Sequence, residues 1–223
     1  MKYIQKGKVP NCLTTYKKLS DASFKELDSD CKQEIRQSLL KEQGYICAYC
    51  MRLISEDWNE KLNKYKAEIE HFKSQYRHSK LILNYKNMLA VCNGNADESS
   101  HEQICDKAKS GFDKTHDLFV NPLNVNREQQ IYFLNDGEIV SDDERINYDL
   151  NTILNLNEQN LKKDRAKLYR QIKKKIRSFW AKPKTRKSAL EQLKSEWEKR
   201  YDNKFRPLCR VPLYLIEKEL KKQ

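Results

Sequence analysis

The sequence contains no long apolar run. Only 38% of its 223 residues are hydrophobic, and the mean hydropathy is −0.94. No stretch is long enough to span a bilayer or has the apolar centre of a signal peptide, so we expect a cytoplasmic protein with no membrane partner. A chain this hydrophilic can bury only small cores, and small cores often depend on a bound metal ion for stability.

A nucleotide-binding loop is also missing from the sequence. The pattern GxxxxGK[ST], whose backbone amides and lysine hold phosphate groups, does not occur. We therefore expect any ATP dependence of the protein's activity to come from a partner. Internal repeats and low-complexity tracts are absent as well.

Positive charge is abundant and is concentrated in one segment. The net charge is +12, and residues 161–200 contain 16 Lys and Arg against 4 Asp and Glu, so the rest of the chain is formally neutral. Such a segment is typical of an electrostatic footprint for phosphate groups, although a solvated helix face has the same composition. The predicted nucleic-acid contacts in this segment are Lys173, Lys174, Lys175 and Arg177.

Hydrophobic spacing predicts helices at both ends of the chain. A first helix is expected over residues 20–43, and Gly44 follows its end. After Asn157 an apolar stripe recurs at helical spacing, and another helix is expected over residues 188–201. Two prolines near the C-terminus are expected to delay the last helix until Leu213.

The sequence divides into four regions of an α+β protein. The segment IYFLNDGEIV places Asp136-Gly137 between two β-rich runs, which predicts a hairpin. Upstream of it lies a stretch with few periodic runs that carries all the candidate metal ligands. The predicted regions are an N-terminal helical segment (1–44), a core with the ligands (45–120), a hairpin region (121–156) and a basic helical region (157–223).

Four of the seven cysteines have the spacing of a structural zinc site. Cys47 and Cys50 form a Cys-x-x-Cys turn, which presents two sulfurs to one ion without strain. The second pair is predicted to be Cys92 and Cys105, and the loop between them must fold back to bring the sulfurs together. His101 lies in that loop and is the alternative to Cys105 as the fourth ligand.

The other three cysteines are expected to be ordinary small side chains. An odd total and the absence of a secretory segment indicate a reducing environment, where a close cysteine pair binds metal or is redox-active more often than it forms a structural disulfide. These three residues are Cys12, Cys31 and Cys209.

The pair Glu70-His71 in AEIEHF suits phosphodiester hydrolysis. An imidazole is partly neutral at pH 7 and can take a proton from water, while a carboxylate offers hard oxygen to Mg²⁺ or Mn²⁺. If the segment is a strand, the two side chains point to opposite faces. Only a twist or the strand end then lets both reach one phosphate, and a surface pair at a strand end is the alternative reading.

The order CAYC, IEHF, NMLAVC and CDKAK resembles the HNH, or ββα-metal, nucleases. From KEQGYICAYC through FVNPLNVN and NDGEIV to LNLNEQNLKKDR, the chain is similar to the PtuB-type subunits of Septu anti-phage defence systems and their retron-associated relatives. The resemblance implies a ββα-metal HNH core with a structural zinc knuckle, flanked by an N-terminal helix and C-terminal helices. It also implies a bacterial source.

The resemblance implies a role for each motif residue. His71 becomes the general base and Glu70 a ligand of a catalytic Mg²⁺ or Mn²⁺. Asn87 takes the middle position, where its amide would hold backbone at the strand that bears the base; a turn asparagine is the alternative. Asp106 takes the third position, where the pattern has histidine or asparagine, and would be the second carboxylate on the ion.

Two lysines accompany that last carboxylate in CDKAK. If the segment opens a helix, Lys109 lies about one turn after the aspartate and is expected to face the phosphate. Its charge would offset the repulsion between the carboxylates and the substrate. Lys107 is expected to contact nucleic acid as well.

The implied activity is that of a metal-dependent endonuclease with DNA favoured over RNA as substrate. The implied partner is a PtuA-type ABC-like ATPase. Two alternatives remain open at this stage. One is a zinc-ribbon-like nucleic-acid-binding or adaptor subunit without activity, and the other is a structural subunit whose C-terminal helices dock on a larger enzyme.

Overall fold

The computed structural model describes residues 1–60, 64–181 and 183–222, which form a mixed α and β structure. Three small antiparallel sheets of two strands each are present within these ranges. The helices are α1 (Asn11–Tyr16), α2 (Ser29–Gln43), α3 (Cys105–Lys109), α4 (Val125–Gln129), α5 (Glu144–Tyr148), α6 (Gln159–Ser178), α7 (Arg186–Glu198) and α8 (Arg210–Leu220). The strands are β1 (Trp58–Asn59), β2 (Lys64–Tyr65), β3 (Ala67–His71), β4 (Met88–Cys92), β5 (Tyr132–Phe133) and β6 (Ile139–Val140).

The first long helix is shorter than its apolar pattern predicts. It begins at Ser29 because the carboxylate of Asp28 accepts a hydrogen bond from the backbone N–H of Cys31 at 2.7 Å and caps the N-terminus. It ends before Gly44, as predicted. The start predicted at residue 20 is wrong, because residues 20–28 form turns whose apolar side chains pack on the helix.

Two of the cysteines expected to be ordinary side chains are joined. Cys12 in α1 and Cys31 in α2 form a disulfide, because the two helices pack against each other. This corrects the prediction for both residues, whereas Cys209 is a buried free thiol. A disulfide is more typical of oxidising compartments, so this pair gives no support to the expected reducing cytoplasm.

Strands β3 and β4 form the sheet that carries the candidate site. They pair antiparallel from Ala67 opposite Cys92 to His71 opposite Met88. Gln43 at the end of α2 holds this sheet, since its side chain accepts from the N–H of Ala90 at 2.8 Å and donates to the carbonyl of the same residue at 2.7 Å. The short helix α3 then packs on β4, which gives a β-β-α order.

The predicted hairpin is confirmed as β5 and β6, with Asp136-Gly137 in the turn. Gly137 has φ +89°, and a Cβ there would lie 1.9 Å from the backbone oxygen of Lys162 in α6. Only glycine permits this close approach. Buried Arg165 completes the junction by donating to the backbone oxygens of Gly137 and Leu156 at 2.6 and 2.7 Å.

The C-terminal helices pack on one another around a small second core. The helix predicted after Asn157 begins at Gln159. The helix predicted over residues 188–201 is α7, which starts two residues earlier and ends three residues earlier. The buried residues of the second core are Ile172, Ile176, Leu190, Leu193, Leu215 and Ile216.

The start predicted for the last helix is wrong. It begins at Arg210 rather than Leu213, because Pro212 lies in the first turn, where a helix needs no backbone donor. Helices α7 and α8 cover part of the apolar stripe of α6. Among the helices of the described residues, none combines the length and apolarity that crossing a membrane requires.

Candidate metal and catalytic site

The four predicted cysteines converge in the structure. Their sulfurs all lie within 4.8 Å of one another, with 3.9 Å between Cys47 and Cys105 and 3.7 Å between Cys50 and Cys92. A tetrahedron of sulfurs at about 2.3 Å from zinc has edges of about 3.8 Å. The cluster is therefore compatible with a structural zinc ion.

The loop between Cys92 and Cys105 folds back as the zinc prediction requires. The N–H of Ile104 donates to the carbonyl of Gly94 at 3.0 Å, and Gly94 has the left-handed φ of +63°. The alternative ligand His101 stays at the surface with 81% of its side chain exposed, where it contacts Ser99 and Glu102. The structure thus places Cys105, and not His101, in the cluster.

Three of the four cluster cysteines are buried, and the sulfurs lie within hydrogen-bonding distance of one another. Burial raises the pKa of Cys47, but hydrogen bonds from Cys105, Cys50 and Cys92 more than offset this, so that its pKa lies well below the usual value. Burial and hydrogen bonds with Cys47, Cys50 and Cys92 raise the pKa of Cys105 well above its usual value. Zinc binds thiolates, so binding of a zinc ion is expected to release the thiol protons to solvent.

Two carboxylates, one buried and one half-buried, lie beside the cluster. Glu70 at the end of β3 is 5% exposed, accepts a hydrogen bond from the hydroxyl of Tyr49 at 3.1 Å, and faces Asp106 in the first turn of α3. Burial and the neighbouring Asp106 carboxylate raise the pKa of Glu70 well above its usual value, against the opposing effect of Lys109. Lys109 therefore compensates only part of the negative charge of the two carboxylates.

Lys109 lies inside this site and not on the surface. Its Nζ is 2.9 Å from Glu70 Oε1 and 2.9 Å from Asp113 Oδ1, and it donates to the backbone oxygen of His71 at 3.4 Å. Burial lowers the pKa of Lys109, but the two carboxylates raise it more. The expected charge compensation is present, while the expected contact with a phosphate stays a prediction for a side chain that is only 4% exposed.

The imidazole of His71 has a defined orientation. Its Nε2 lies 2.8 Å from the carbonyl of Ile82, and Nδ1 lies 3.2 Å from the side-chain nitrogen of Gln75. A carbonyl only accepts, so Nε2 carries the hydrogen and Nδ1 keeps its lone pair. Phe24 packs edge-on against the ring at 4.7 Å, and burial lowers the pKa of His71.

Asn87 holds the segment that follows His71. Its Oδ1 accepts from the backbone N–H of Lys73 at 2.8 Å, and its Nδ2 donates to the backbone oxygen of Lys73 at 3.0 Å. It also ends a short 3-10 turn, with its own N–H on the carbonyl of Asn84. Asn87 therefore both ends a turn and holds backbone through its amide, so the two interpretations do not exclude each other. The amide contacts are the ones that bear on the site.

The strand separates the two motif side chains, as its alternation predicts. Glu70 meets Tyr49 and Lys109, whereas the ring of His71 meets Ile82 and Gln75. Lys109 bridges them through the Glu70 carboxylate and the His71 carbonyl. The base candidate thus lies at the strand end.

The predicted nucleic-acid contacts lie on two different elements. Lys107 is half-buried in α3, next to the carboxylate pair. Lys173, Lys174 and Arg177 are exposed on α6. Lys175 is exposed as well, but its Nζ lies 3.7 Å from Glu196 of α7.

Three side chains of the site were not predicted from the sequence. Tyr49 lies inside the CAYC turn, and its position between two metal ligands is the sequence feature that marks it. Gln75 and Asp113 lie in irregular segments, and no local pattern marks them. Their contacts with His71 and Lys109 arise from packing of distant parts of the chain.

The arrangement offers two kinds of metal ligand within one small core. Soft thiolates suit zinc, and hard carboxylate oxygens suit Mg²⁺ or Mn²⁺. The imidazole of His71 lies at the end of the same strand, with its Nδ1 lone pair accepting from the Gln75 side chain. Comparison with known proteins assigns no family to this arrangement, because no protein-family model and no curated protein matches the chain.

Proposed function

We propose that the protein is a metal-dependent HNH-type endonuclease that hydrolyses phosphodiester bonds of nucleic acid, with DNA favoured over RNA. The observation that carries the proposal is the buried carboxylate of Glu70, on the strand that ends in His71, which faces half-buried Asp106 and lies beside a four-cysteine cluster. Buried carboxylates without full charge compensation are unusual in a structural core, and they are common where a divalent cation binds.

The charges of the site fit a hard divalent cation. Glu70 and Asp113 each lie 2.9 Å from the ammonium of Lys109, and Glu70 also faces the carboxylate of Asp106. Mg²⁺ or Mn²⁺ held by Glu70 and Asp106 would supply stabilisation of negative charge on the phosphate and on the leaving 3′-oxygen. Lys109 would hold the Glu70 carboxylate in place from the protein side.

His71 is positioned to accept a proton. Its lowered pKa keeps the ring neutral at pH 7, and the contact with Ile82 leaves the Nδ1 lone pair as the basic site. In the proposed reaction Nδ1 takes a proton from water as the water oxygen bonds to phosphorus. The bond from phosphorus to the 3′-oxygen breaks, and the 3′-oxygen takes a proton from solvent, which leaves a 5′-phosphate and a 3′-hydroxyl.

The surroundings of His71 support its positioning. Asn87 fixes the backbone at Lys73, two residues after the base, so the direction of the chain leaving β3 is defined. Gln75, which occupies Nδ1, is exposed and so is a side chain that a substrate can displace. Lys73 and Arg77 share one carboxylate, that of Asp117, at 3.6 and 3.3 Å, so this side of the site keeps an excess of positive charge.

The biological setting follows from the resemblance alone. We propose a nuclease subunit of a bacterial anti-phage complex of Septu type, in the cytoplasm, with a PtuA-type ABC-like ATPase as partner. The missing nucleotide-binding loop is consistent with ATP dependence supplied by such a partner. A free nuclease would endanger its host, so the isolated chain is expected to be weakly active.

A second candidate is an inactive nucleic-acid-binding or adaptor subunit. It is favoured by the burial of His71, which is 4% exposed, and by the ion pair in which Lys109 already engages Glu70. In that reading the motif residues have only a structural role. The two candidates differ in whether cleavage, and not merely binding, depends on His71.

The test is cleavage of plasmid, single-stranded DNA and total RNA by the zinc-loaded chain, alone and with its genomic neighbour, with Mg²⁺ or Mn²⁺. His71→Ala is compared with His101→Ala, which removes an exposed imidazole outside the cysteine cluster. The nuclease is supported if cleavage requires metal and is lost only in His71→Ala. If no substrate is cut under any condition while nucleic acid still binds, the adaptor reading replaces it.

A further inference from the structure

One side of α6 carries a line of aromatic and basic side chains that starts at half-buried Tyr169 and continues with exposed residues. Tyr169, Lys173 and Arg177 follow one another at intervals of four residues, which is about 6 Å along a helix. Trp180 continues the line just beyond the helix end, and 54% of it is exposed. An exposed tryptophan this large is unusual on a surface that only has to be solvated.

Two adjoining depressions meet along this line. One lies against the hairpin turn at Asn135 and Asp136, the other lies against α8, and both include Tyr169, Lys173 and Arg177 in their lining. We call the two depressions together the α6 groove. Its basic side chains are Arg170, Lys173, Lys174, Arg177, Lys218 and Lys222.

The groove has uncompensated positive charge. Its two carboxylates are already paired: Asp136 with Lys162 at 3.0 Å, and Glu219 with Arg186 at 2.9 Å and with Lys222 of the groove at 2.6 Å. Within the described part of the chain, neither Lys173 nor Arg177 forms an ion pair. A polyanion that enters the groove therefore gains these contacts without breaking existing ones.

The aromatic side chains indicate what kind of polyanion fits. The guanidinium of Arg186 lies 5.0 Å from the centre of the Trp180 ring and supports it, while Lys173 lies 5.8 Å from the centre of the Tyr169 ring. Exposed rings beside cations are the elements that stack bases and hold phosphates in proteins that bind single strands. Paired bases in a duplex do not present their faces to such rings.

We propose that the α6 groove binds single-stranded nucleic acid, with unpaired bases stacked on Trp180 and backbone phosphates on Lys173 and Arg177. This inference deepens the proposed function and rests on it for the class of ligand, because the strand bound here would be the substrate or the strand displaced from it. It assigns no base sequence, since stacking and charge contacts accept every base.

The test is fluorescence anisotropy with oligothymidine, oligouridine and a duplex of the same length. The zinc-loaded full chain is kept free of Mg²⁺ and Mn²⁺, so binding is read without cleavage. Lys173→Glu is compared with Lys163→Glu, which makes the same charge change at another exposed position of α6 outside the groove. Circular dichroism and zinc content show that each variant is folded.

Tighter binding of single strands than of duplex is expected. Lys173→Glu should reduce the slope of log affinity against log salt by about 0.7, while Lys163→Glu leaves the slope unchanged. Trp180→Ala should weaken single-strand binding about five-fold or more, and Trp180→Phe should restore most of it. Polyglutamate, which has charge but no bases, should compete poorly.

The inference is overturned if both lysine variants lose affinity equally, if Trp180→Ala binds like wild type, or if polyglutamate competes as well as oligothymidine. The last result would assign the groove to acidic protein segments. Loss of the nuclease proposal is a separate outcome. If binding depends on the groove but no substrate is cut, only the nuclease proposal is refuted. If cleavage depends on His71 while Lys173→Glu and Trp180→Ala bind normally, only the groove proposal is refuted.

Discussion

Replacement of one cluster cysteine is expected to remove much of the stability of the core. Cys105 and Cys209 are both fully buried cysteines, but only Cys105 belongs to the four-sulfur cluster. Cys105→Ala and Cys209→Ala therefore make the same chemical change in equally buried places. The difference between the variants isolates the metal from the loss of a buried sulfur.

The expected magnitudes differ widely. Binding of structural zinc contributes about 10 kcal/mol or more to folding of small metal domains, which is comparable to the whole stability of a typical domain, about 5–15 kcal/mol. Cys105→Ala should thus leave the segment from Cys47 to Lys109 largely unfolded. Cys209→Ala should cost about 1–2 kcal/mol, equivalent to a fall in Tm of about 2–8 °C for a chain of this length.

Zinc content by atomic emission and thermal unfolding by circular dichroism would measure both effects. Wild type and Cys209→Ala should hold one zinc ion per chain, and chelation should lower the Tm of both. Cys105→Ala should hold little zinc and respond little to the chelator. If wild-type protein binds no zinc, or if Cys105→Ala keeps as much zinc and stability as Cys209→Ala, the reasoning from sulfur geometry is refuted.

Two other predictions concern carboxylates outside the cluster. Burial raises the pKa of Asp117, but His78, Lys73 and Arg77 more than offset this effect and hold the pKa below its usual value of 3.8. The carboxylate therefore stabilises the fold above pH 3.8 and loses this effect as the pH falls through its folded pKa. Asp117→Asn should therefore lower the free energy of unfolding by about 1 kcal/mol at pH 7, measured by urea denaturation, and the difference should vanish in strong acid; a constant difference would contradict it. Asp149 is fully buried and accepts from two backbone N–H groups, so Asp149→Ala should cost about 2–5 kcal/mol in the same assay, and a loss below 1 kcal/mol would contradict this.

The parts of the molecule that local chemistry determines could be predicted from the sequence. A Cys-x-x-Cys turn has one compact geometry, and Cys92 ends a strand whose β-rich run is visible in the sequence. The Asp-Gly turn of the hairpin is predictable for the same reason, because few residues permit its backbone conformation. These features needed no knowledge of distant contacts.

Features that depend on packing could not be predicted in this way. The disulfide between Cys12 and Cys31 joins residues 19 positions apart and exists because α1 crosses α2. Lys109 is buried because Glu70 and Asp113, from two different segments, contact its ammonium. Helical spacing predicts only the side of α3 on which Lys109 lies. The roles of His71, Asn87 and Asp106 in catalysis remain predictions.

Helix starts illustrate a competition between local signals. Apolar residues before Ser29 continue the helical spacing, yet the cap at Asp28 fixes the start, because a side chain that satisfies free backbone N–H groups defines a helix end more strongly than spacing does. At the other end of the chain, Pro212 suggested a barrier but is accommodated in a first turn. Both errors concern where helices begin and not whether they form.

The cysteine cluster has a topological consequence for how this protein can vary. A metal bridge between Cys50 and Cys92, which are 42 positions apart, would close the chain between them into a ring. Glu70, His71 and Asn87 all lie within that ring. The entropy of closing such a ring grows only with the logarithm of its length, so ten inserted residues would add about 0.2 kcal/mol. Loops within the ring can therefore lengthen and diversify at little thermodynamic cost, while the two strands that carry the reactive groups stay anchored at the closure point.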